Sequence, residues 1–400
     1  MNEQENRNKF HAIHLSKRFA AFLCTFFISI LLTISTLVFL LPKKTFSADE
    51  NRMLTTFPSF SADRLFEGEY TEQIASYLRD HLPAREELLQ SKALTEYALL
   101  KRENNHVVIA QNSYLIKRFS YADDQLGAFR DNVQRITVLR ERLSAYGKPA
   151  VFVSAPRAVD ILGDRFGGSL AEPSERSPWH ILSEEDPSAI TLDEKLRQKA
   201  ALGEKIWFRT DHHWTALGAY YAYEALGDVL GYTPLPRDSF LAVEVSRTFL
   251  GTSYSASQFP FTRPDTITAM RYAGDNGYTC TDVQTGAVRE GFYVEEALAK
   301  KDQYQYFLGA NTAHLRITQK TDTPRPTLLL IKDSYAQCLV PFLARHFDIE
   351  LIDLRYFRGD ATETIRGILE SKQYAGTLIL CNVDTLTASA GFDRIDADNL

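Results

Sequence analysis

The last third of the chain carries the pattern that most restricts its fold. The run Leu328-Leu329-Leu330-Ile331 is continuously apolar, 349–354 is apolar apart from Glu350 and Asp353, and 376–381 is apolar from Leu378 onward, with stretches of helical period at about 335–346 and 361–371 between them. A strand that is apolar on both faces has to be buried on both, which is the condition of a parallel sheet covered by helices on either side. The pattern predicts an α/β domain with a mainly parallel sheet. Ligands of such sheets gather beyond the carboxyl ends of the strands. Lys332-Asp333-Ser334-Tyr335 stands at one such end.

Upstream, Val107 to Ala110, Tyr114 to Ile116 and Ala150 to Val153 read as strands, the last stopped by Pro156. Asp124 to Tyr146 reads as a long helix through Leu126, Phe129, Val133, Ile136 and Leu143, ended by Gly147. Residues 157–204 are rich in Pro, Ser and Gly and read as surface excursions; Ile206-Trp207-Phe208 is a brief strand. Ala216 to Leu230 is a helix with Thr215 placed to cap it. Residues 238–310 read as a β-rich insertion with turns such as Asp275-Asn276-Gly277. A length of 400 residues accommodates one large domain or two ordinary ones. The net charge of −6 gives no support for a nucleic-acid partner, whose phosphates call for a basic face.

Phe19 to Leu41 is an uncharged run of about 23 residues, long enough to cross a bilayer as a helix. Arg7, Lys9, Lys17 and Arg18 precede it, and Lys43-Lys44 follow. That bias favours a cytoplasmic tail over 1–18, a transmembrane signal-anchor over 19–41 and an exported carboxyl side. A cleaved signal peptide is the alternative, with Thr45-Phe46-Ser47 as a weak cleavage site, but the apolar run is longer than a usual signal core. The expected localisation is the cell membrane, single-pass, with the working domain extracytoplasmic. From Pro42 to about Asn105 the chain reads as a helical stem, and 106–400 as the α/β domain. The cysteines, Cys24, Cys280, Cys338 and Cys381, form no Cys-x-x-Cys pair; Cys338 and Cys381 read as buried thiols.

The chemistry lies in two polar clusters. Thr210-Asp211-His212-His213-Trp214-Thr215 offers a carboxylate and imidazoles; Lys332-Asp333-Ser334-Tyr335 offers a hydroxyl. A serine hydroxyl becomes a nucleophile when an imidazole takes its proton, and a carboxylate fixes the imidazole's tautomer. At an extended strand end, positions i and i+2 share a face. Asp211 could then reach the Nδ1 hydrogen of His213, leaving Nε2 for Ser334, while His212 would point away. The same triplet could ligate a metal, but adjacent histidines do not aim easily at one ion and no further His or Cys completes a set. No metal and no cofactor are expected.

Ser334 would sit near the positive end of the helix at about 335–346, with the turn's backbone N–H groups as an oxyanion hole. Asn311 of Gly309-Ala310-Asn311 is a candidate second oxyanion donor; its plainer reading is a turn asparagine. Asp333 braces the turn. A competing serine, Ser253 in Gly251-Thr252-Ser253-Tyr254-Ser255, is set aside because no helix is expected to follow it.

Asp211-His212-His213-Trp214 is the signature of the DHHW protein family, whose members resemble the SGNH-hydrolase-like proteins of alginate O-acetylation. Glu50-Asn51-Arg52 with Pro58, Asp80-His81-Leu82-Pro83-Ala84-Arg85, Phe307-Leu308-Gly309-Ala310-Asn311 and Lys332-Asp333-Ser334-Tyr335 also resemble that family's segments. The resemblance implies an SGNH-hydrolase-like three-layer fold. It implies Asp211 as orienter, His213 as base and Ser334 as nucleophile. Arg52 and Arg85 read as structural ion-pair partners, with binding of acidic glycan as the other possibility.

Two functional readings follow. One is a serine acyl-ester enzyme, an O-acetyltransferase or acetylesterase acting on a cell-surface polysaccharide, with a membrane acyltransferase as a possible partner. The other is a non-catalytic carbohydrate-binding or assembly subunit of a polysaccharide export system. The 238–310 segment and the aromatic content of 12% motivate the second.

Overall fold

The computed structural model describes residues 17–47, 52–118, 121–163 and 176–400. Most of the expected cytoplasmic tail, and Glu50 and Asn51 of the Glu-Asn-Arg segment, lie outside the described residues. The chain divides into two compact units, Met1–Lys92 and Ala93–Leu400.

The first unit holds an apolar helix, Lys17–Leu40, long and apolar enough to cross a membrane. Phe22, Phe26, Phe27 and Leu32 are exposed along it. Helices follow at Ala62–Phe66 and Glu69–Asp80, and another begins at Arg85. The Asp80 carboxylate accepts from the Thr55 N–H at 2.8 Å and pairs with Arg85 at 3.9 Å, the structural role expected for that arginine.

The second unit is built on a seven-stranded sheet: β1 (Ala150–Ala155), β2 (Tyr278–Asp282), β3 (Val288–Glu290), β4 (His314–Gln319), β5 (Thr327–Lys332), β6 (Asp348–Ile352) and β7 (Tyr374–Asn382). Their order across the sheet is β3-β2-β4-β6-β5-β7-β1. β6, β5, β7 and β1 run parallel; β4, β2 and β3 extend the sheet antiparallel from β6.

The continuous apolar run has the meaning its pattern implied. Leu328 and Leu330 enter one core with helices Asp193–Ala201 and Ala216–Leu230, whereas Leu329 and Ile331 enter the other with helices Asp123–Ser144 and Ala361–Leu369. Successive side chains of a strand point to opposite faces, so this single run joins three layers. Each fully buried Leu or Ile contributes about 1.5–3 kcal/mol by removal from water.

Four local expectations change. Residues 157–204, expected as surface excursions, hold the helices Ala158–Leu162, Pro178–Glu185 and Asp193–Ala201, whose Ile161, Leu182 and Leu196 are buried in the cores. The helix expected at about 335–346 is a 3-10 turn, Ser334–Ala336, followed by a four-residue helix, Val340–Leu343. Pro341 has no N–H to give to the Gln337 carbonyl, which interrupts a continuous helix, and it sits instead in the first turn of the four-residue helix, where that N–H is not needed. Ile206-Trp207-Phe208 makes a single bridge, Trp207 to Trp214, instead of a strand. The strands of 238–310 go to two places: Leu241–Phe249 pairs with Asp265–Arg271 in a separate hairpin, while β2 and β3 join the main sheet.

Helix Ala216–Leu230 begins where predicted. The Thr215 hydroxyl accepts from the Gly218 N–H at 3.2 Å and donates to the Lys205 carbonyl at 2.8 Å. Gly218 lets this helix press on the segment before the Asp-His-His-Trp loop, since a Cβ there would lie 2.3 Å from the Ile206 carbonyl oxygen and 3.0 Å from Trp214 Cβ. Gly218→Ala should therefore destabilise the protein by about 1–3 kcal/mol despite alanine's better helix propensity. The midpoint of urea unfolding checks this, and an unchanged or raised midpoint would show that the Ile206 backbone gives way.

Candidate functional site

Two motifs separated by more than a hundred residues are hydrogen-bonded to each other. Trp214 Nε1 donates to the Tyr335 carbonyl at 2.9 Å, and the Tyr335 hydroxyl donates to the His212 carbonyl at 2.5 Å. Both tyrosine and tryptophan are buried. This reciprocal clasp holds the Asp-His-His-Trp loop against the turn at the carboxyl end of β5.

Within it lies an unbroken relay. Asp211 Oδ1 is 2.6 Å from His213 Nδ1, and His213 Nε2 is 2.8 Å from Ser334 Oγ. Asp211 and His213 are buried and Ser334 is half-buried. The i, i+2 spacing works through a tight turn rather than an extended strand end: Asp211 Oδ1 also accepts from the His213 backbone N–H at 2.9 Å. Side chains of Asp commonly bond the amide two residues on, and here the same oxygen serves ring and backbone.

The other carboxylate oxygen is held by a segment the sequence reading passed over. Asp211 Oδ2 accepts from the Thr252 N–H at 2.7 Å and from the Thr252 hydroxyl at 2.9 Å. Gly251-Thr252-Ser253 was set aside because no helix was expected after it; a short helix, Thr252–Ser257, does follow. Its function here is to seat Asp211. Gly251 stands directly under the carboxylate, where a Cβ would lie 2.3 Å from both Asp211 Cβ and Oδ2. Asp265 completes the grip, accepting from the Thr210 N–H at 2.7 Å and the Thr210 hydroxyl at 2.8 Å. Burial alone would raise the Asp211 pKa. His213 and the donated N–H groups outweigh it and hold the carboxyl well below the usual carboxylate range.

His212 does not point away. Its ring lies 3.8 Å from the His213 ring, tilted by 37°, and its Nδ1 is 2.5 Å from the Thr252 hydroxyl. Tyr304 stacks on His213 at 3.9 Å and 7°, and its hydroxyl donates to the Ser334 carbonyl at 3.2 Å. Asp211, His212 and His213 each offer a potential ligand atom, all within 4.8 Å of one another. Both ring nitrogens of His213 are already engaged, by Asp211 and Ser334, in the arrangement of a proton relay.

Asp333 braces the turn as expected. Its Oδ1 accepts from the Tyr335 N–H at 2.9 Å; its Oδ2 accepts from the Asn382 N–H at 2.5 Å and the Thr385 hydroxyl at 2.7 Å. Among the described residues no acceptor pairs with the Ser334 N–H, which leaves it available to a developing oxyanion. Asn311 is anchored through its carbonyl: Lys332 Nζ donates to Oδ1 at 2.9 Å and Gln337 Nε2 at 3.3 Å. Its NH2 group is thereby freed to donate. Lys332 is buried, 3.5 Å from Asp353, which Arg355 also pairs at 2.7 Å. Burial pushes the Lys332 pKa down and Asp353 opposes that shift. The cysteines Cys280, Cys338 and Cys381 are buried free thiols, as expected for the latter two.

Fold and site together define an SGNH-hydrolase-like α/β protein. The family model described as DHHW protein matches residues 190–352, which hold both motifs, and that of the SGNH hydrolase-like domain of acetyltransferase AlgX matches residues 107–245. The chain thus resembles the DHHW family and the SGNH-hydrolase-like alginate O-acetylation proteins, as its motifs implied. A DHHW family protein from Eubacterium siraeum has a similar structure, with 22% identity and a TM-score of 0.57 over 73% of this chain and 96% of the other. PatB1 of Bacillus cereus, in a structure with a sulfonyl adduct, is 18% identical with a TM-score of 0.57 over 72% of this chain and 100% of its own. At these identities the likeness is one of fold. No curated protein matches the chain.

Gly251→Ala should displace Asp211 from His213. A shift of about 1 Å in such a relay costs on the order of 10²-fold in rate, so any turnover that depends on it should fall by about that much, and the same clash should lower the thermal midpoint. A variant with undiminished turnover would show that the seat under Asp211 is not needed.

Proposed function

We propose that the protein is a membrane-anchored, extracytoplasmic serine acyl-ester enzyme with Ser334 as nucleophile, His213 as base and Asp211 as orienter. Its proposed role belongs to polysaccharide O-acetylation. The observation that carries this reading is the continuous relay at 2.6 and 2.8 Å, with the hydroxyl half-exposed at the end of a parallel strand.

In the first half-reaction Ser334 Oγ bonds to the acyl carbon of an ester as its proton passes to His213 Nε2. The carbonyl electrons move onto oxygen, where the Ser334 N–H and the Asn311 NH2 group are the proposed donors. Collapse of the tetrahedral species breaks the bond to the leaving alcohol, which takes the proton from His213. Asp211 stabilises the imidazolium between these events. In the second half-reaction water or a sugar hydroxyl enters by the reverse path and releases the acyl group. The match to the domain model of acetyltransferase AlgX supports acyl transfer; a sugar hydroxyl of a cell-surface polysaccharide is the proposed acceptor, with a membrane acyltransferase as the proposed source of the acyl group.

A fluorophosphonate or sulfonyl fluoride reagent should label Ser334, and Ser334→Ala should abolish both labelling and release of 4-nitrophenol from its acetate. Full activity in that variant would refute the nucleophile. Binding of glycan without labelling of the parent would favour the assembly-subunit reading. Asp211→Asn should lower kcat by about 10⁴-fold, the scale set by loss of the correct imidazole tautomer.

The extracytoplasmic placement rests on the apolar helix Lys17–Leu40 and the basic residues preceding it. Alkaline phosphatase fused after Ser47 should be active in cells, since it folds only outside the cytoplasm; an inactive fusion that is nevertheless expressed would reverse the orientation.

A further inference from the structure

The middle residue of the Asp-His-His triplet has no task in the relay, yet its surroundings fix its state. The Thr252 hydroxyl lies 2.9 Å from Asp211 Oδ2 and 2.5 Å from His212 Nδ1. A hydroxyl has one proton to donate, and an ionised carboxylate only accepts. The proton therefore goes to Asp211, and at His212 the Thr252 oxygen accepts. Nδ1 then carries the hydrogen, and in the neutral ring Nε2 carries a lone pair. Among the described residues that Nε2 has no hydrogen-bond partner.

Its position is equally defined. His213 is covered on one face by Tyr304, at 3.9 Å, and lies 3.8 Å from His212. Tyr304 is buried, while the His212 side chain is 38% exposed. Tyr335, the third ring against the base at 5.0 Å, is buried as well, so of these rings His212 is the one that meets solvent. Partial loss of hydration, and the adjacent His213 after it, hold the His212 pKa below the usual imidazole range, which keeps the ring neutral and its lone pair available.

We infer that His212 Nε2 is a hydroxyl-binding acceptor that selects a polyol, such as a sugar with vicinal hydroxyls, over water as the second substrate. The inference rests on the acyl-transfer reading of Ser334. In the second half-reaction one acceptor hydroxyl gives its proton to His213 Nε2 while its oxygen bonds to the acyl carbon. The bond between that carbon and Ser334 Oγ breaks, and the proton passes from His213 to Ser334. A hydroxyl on the neighbouring carbon donates to His212 Nε2. Water has one oxygen and cannot fill both places, and neither can a simple alcohol.

The test uses the full chain in detergent, 4-nitrophenyl acetate as acyl donor, and methyl glucoside or methanol as added alcohol. The quantity read is the ratio of acetylated alcohol to free acetate. That ratio is decided after the acyl-enzyme has formed and does not depend on how fast it forms. The parent should favour methyl glucoside over methanol. His212→Phe keeps a flat ring beside His213 but has no nitrogen. It should lower the methyl glucoside ratio by roughly tenfold, the scale of one lost hydrogen bond, and leave the methanol ratio nearly unchanged. His212→Gln, whose amide oxygen can accept, should recover most of the loss. Three results would overturn the inference: an unchanged methyl glucoside ratio in His212→Phe, an equal loss for both alcohols, or a Phe variant that no longer acylates at Ser334, which would place His212 in the first step. A parent that forms no acyl-Ser334 sinks the acyl-transfer reading itself and takes this inference with it; labelling of the parent by the fluorophosphonate distinguishes the two failures.

Discussion

The clasp between Trp214 and Tyr335 is the interaction on which the site depends. Each residue belongs to one motif and hydrogen-bonds the backbone of the other. Neither bond reaches a reacting atom. Without them, His213 and Ser334 would be carried by separate segments, a loop before a helix and a turn after a strand, with Tyr304, stacked on His213 and bonded to the Ser334 carbonyl, left to help set the 2.8 Å between them. Because both side chains are buried, breaking either bond leaves polar atoms unpaired away from water, a cost of about 1–3 kcal/mol each. The geometry of the relay is thus coupled to the packing of the core.

The buried carboxylate imposes the second constraint. A dehydrated charge is tolerated only when it is paired and hydrogen-bonded, and Asp211 meets that condition from three directions. Its own turn supplies the His213 N–H, the imidazole supplies Nδ1, and Thr252 supplies an amide and a hydroxyl. Gly251 is needed because the carboxylate occupies the space a side chain would take. The hairpin of Leu241–Phe249 and Asp265–Arg271 flanks this seat from both ends, through Gly251 just beyond its first strand and Asp265 in its second. A segment that looks decorative along the chain positions the group that orients the base.

Much of this was legible in the residues. The apolar run Leu328 to Ile331, the Thr215 cap, the pairing of Asp211 with His213 and the placement of Ser334 at a strand's end each follow from local pattern. What escaped has a common cause. The role of Gly251 and Thr252 depends on a contact with a residue forty positions away, and no local pattern encodes which distant carboxylate a small residue will face. The stacking of His212 and Tyr304 on His213 is invisible for the same reason. The expected helix after Ser334 failed on a local rule that was present and underweighted, the proline at 341.

What the amino-acid order determined by itself was the layered architecture, since a strand apolar on both faces has to be covered on both, and the stretches of helical period between the strands supply helices to cover them. It also determined the kinds of chemical group available, an imidazole with a carboxylate two residues away and a serine at a strand end. Tertiary structure alone decided how those groups meet: which oxygen of Asp211 faces the ring, which tautomer His212 adopts, and which donors are left free around Ser334. The reason is that hydrogen bonds and ring contacts are directional and act over about 3–4 Å, whereas the pattern of apolar residues specifies only which face of an element is turned inward.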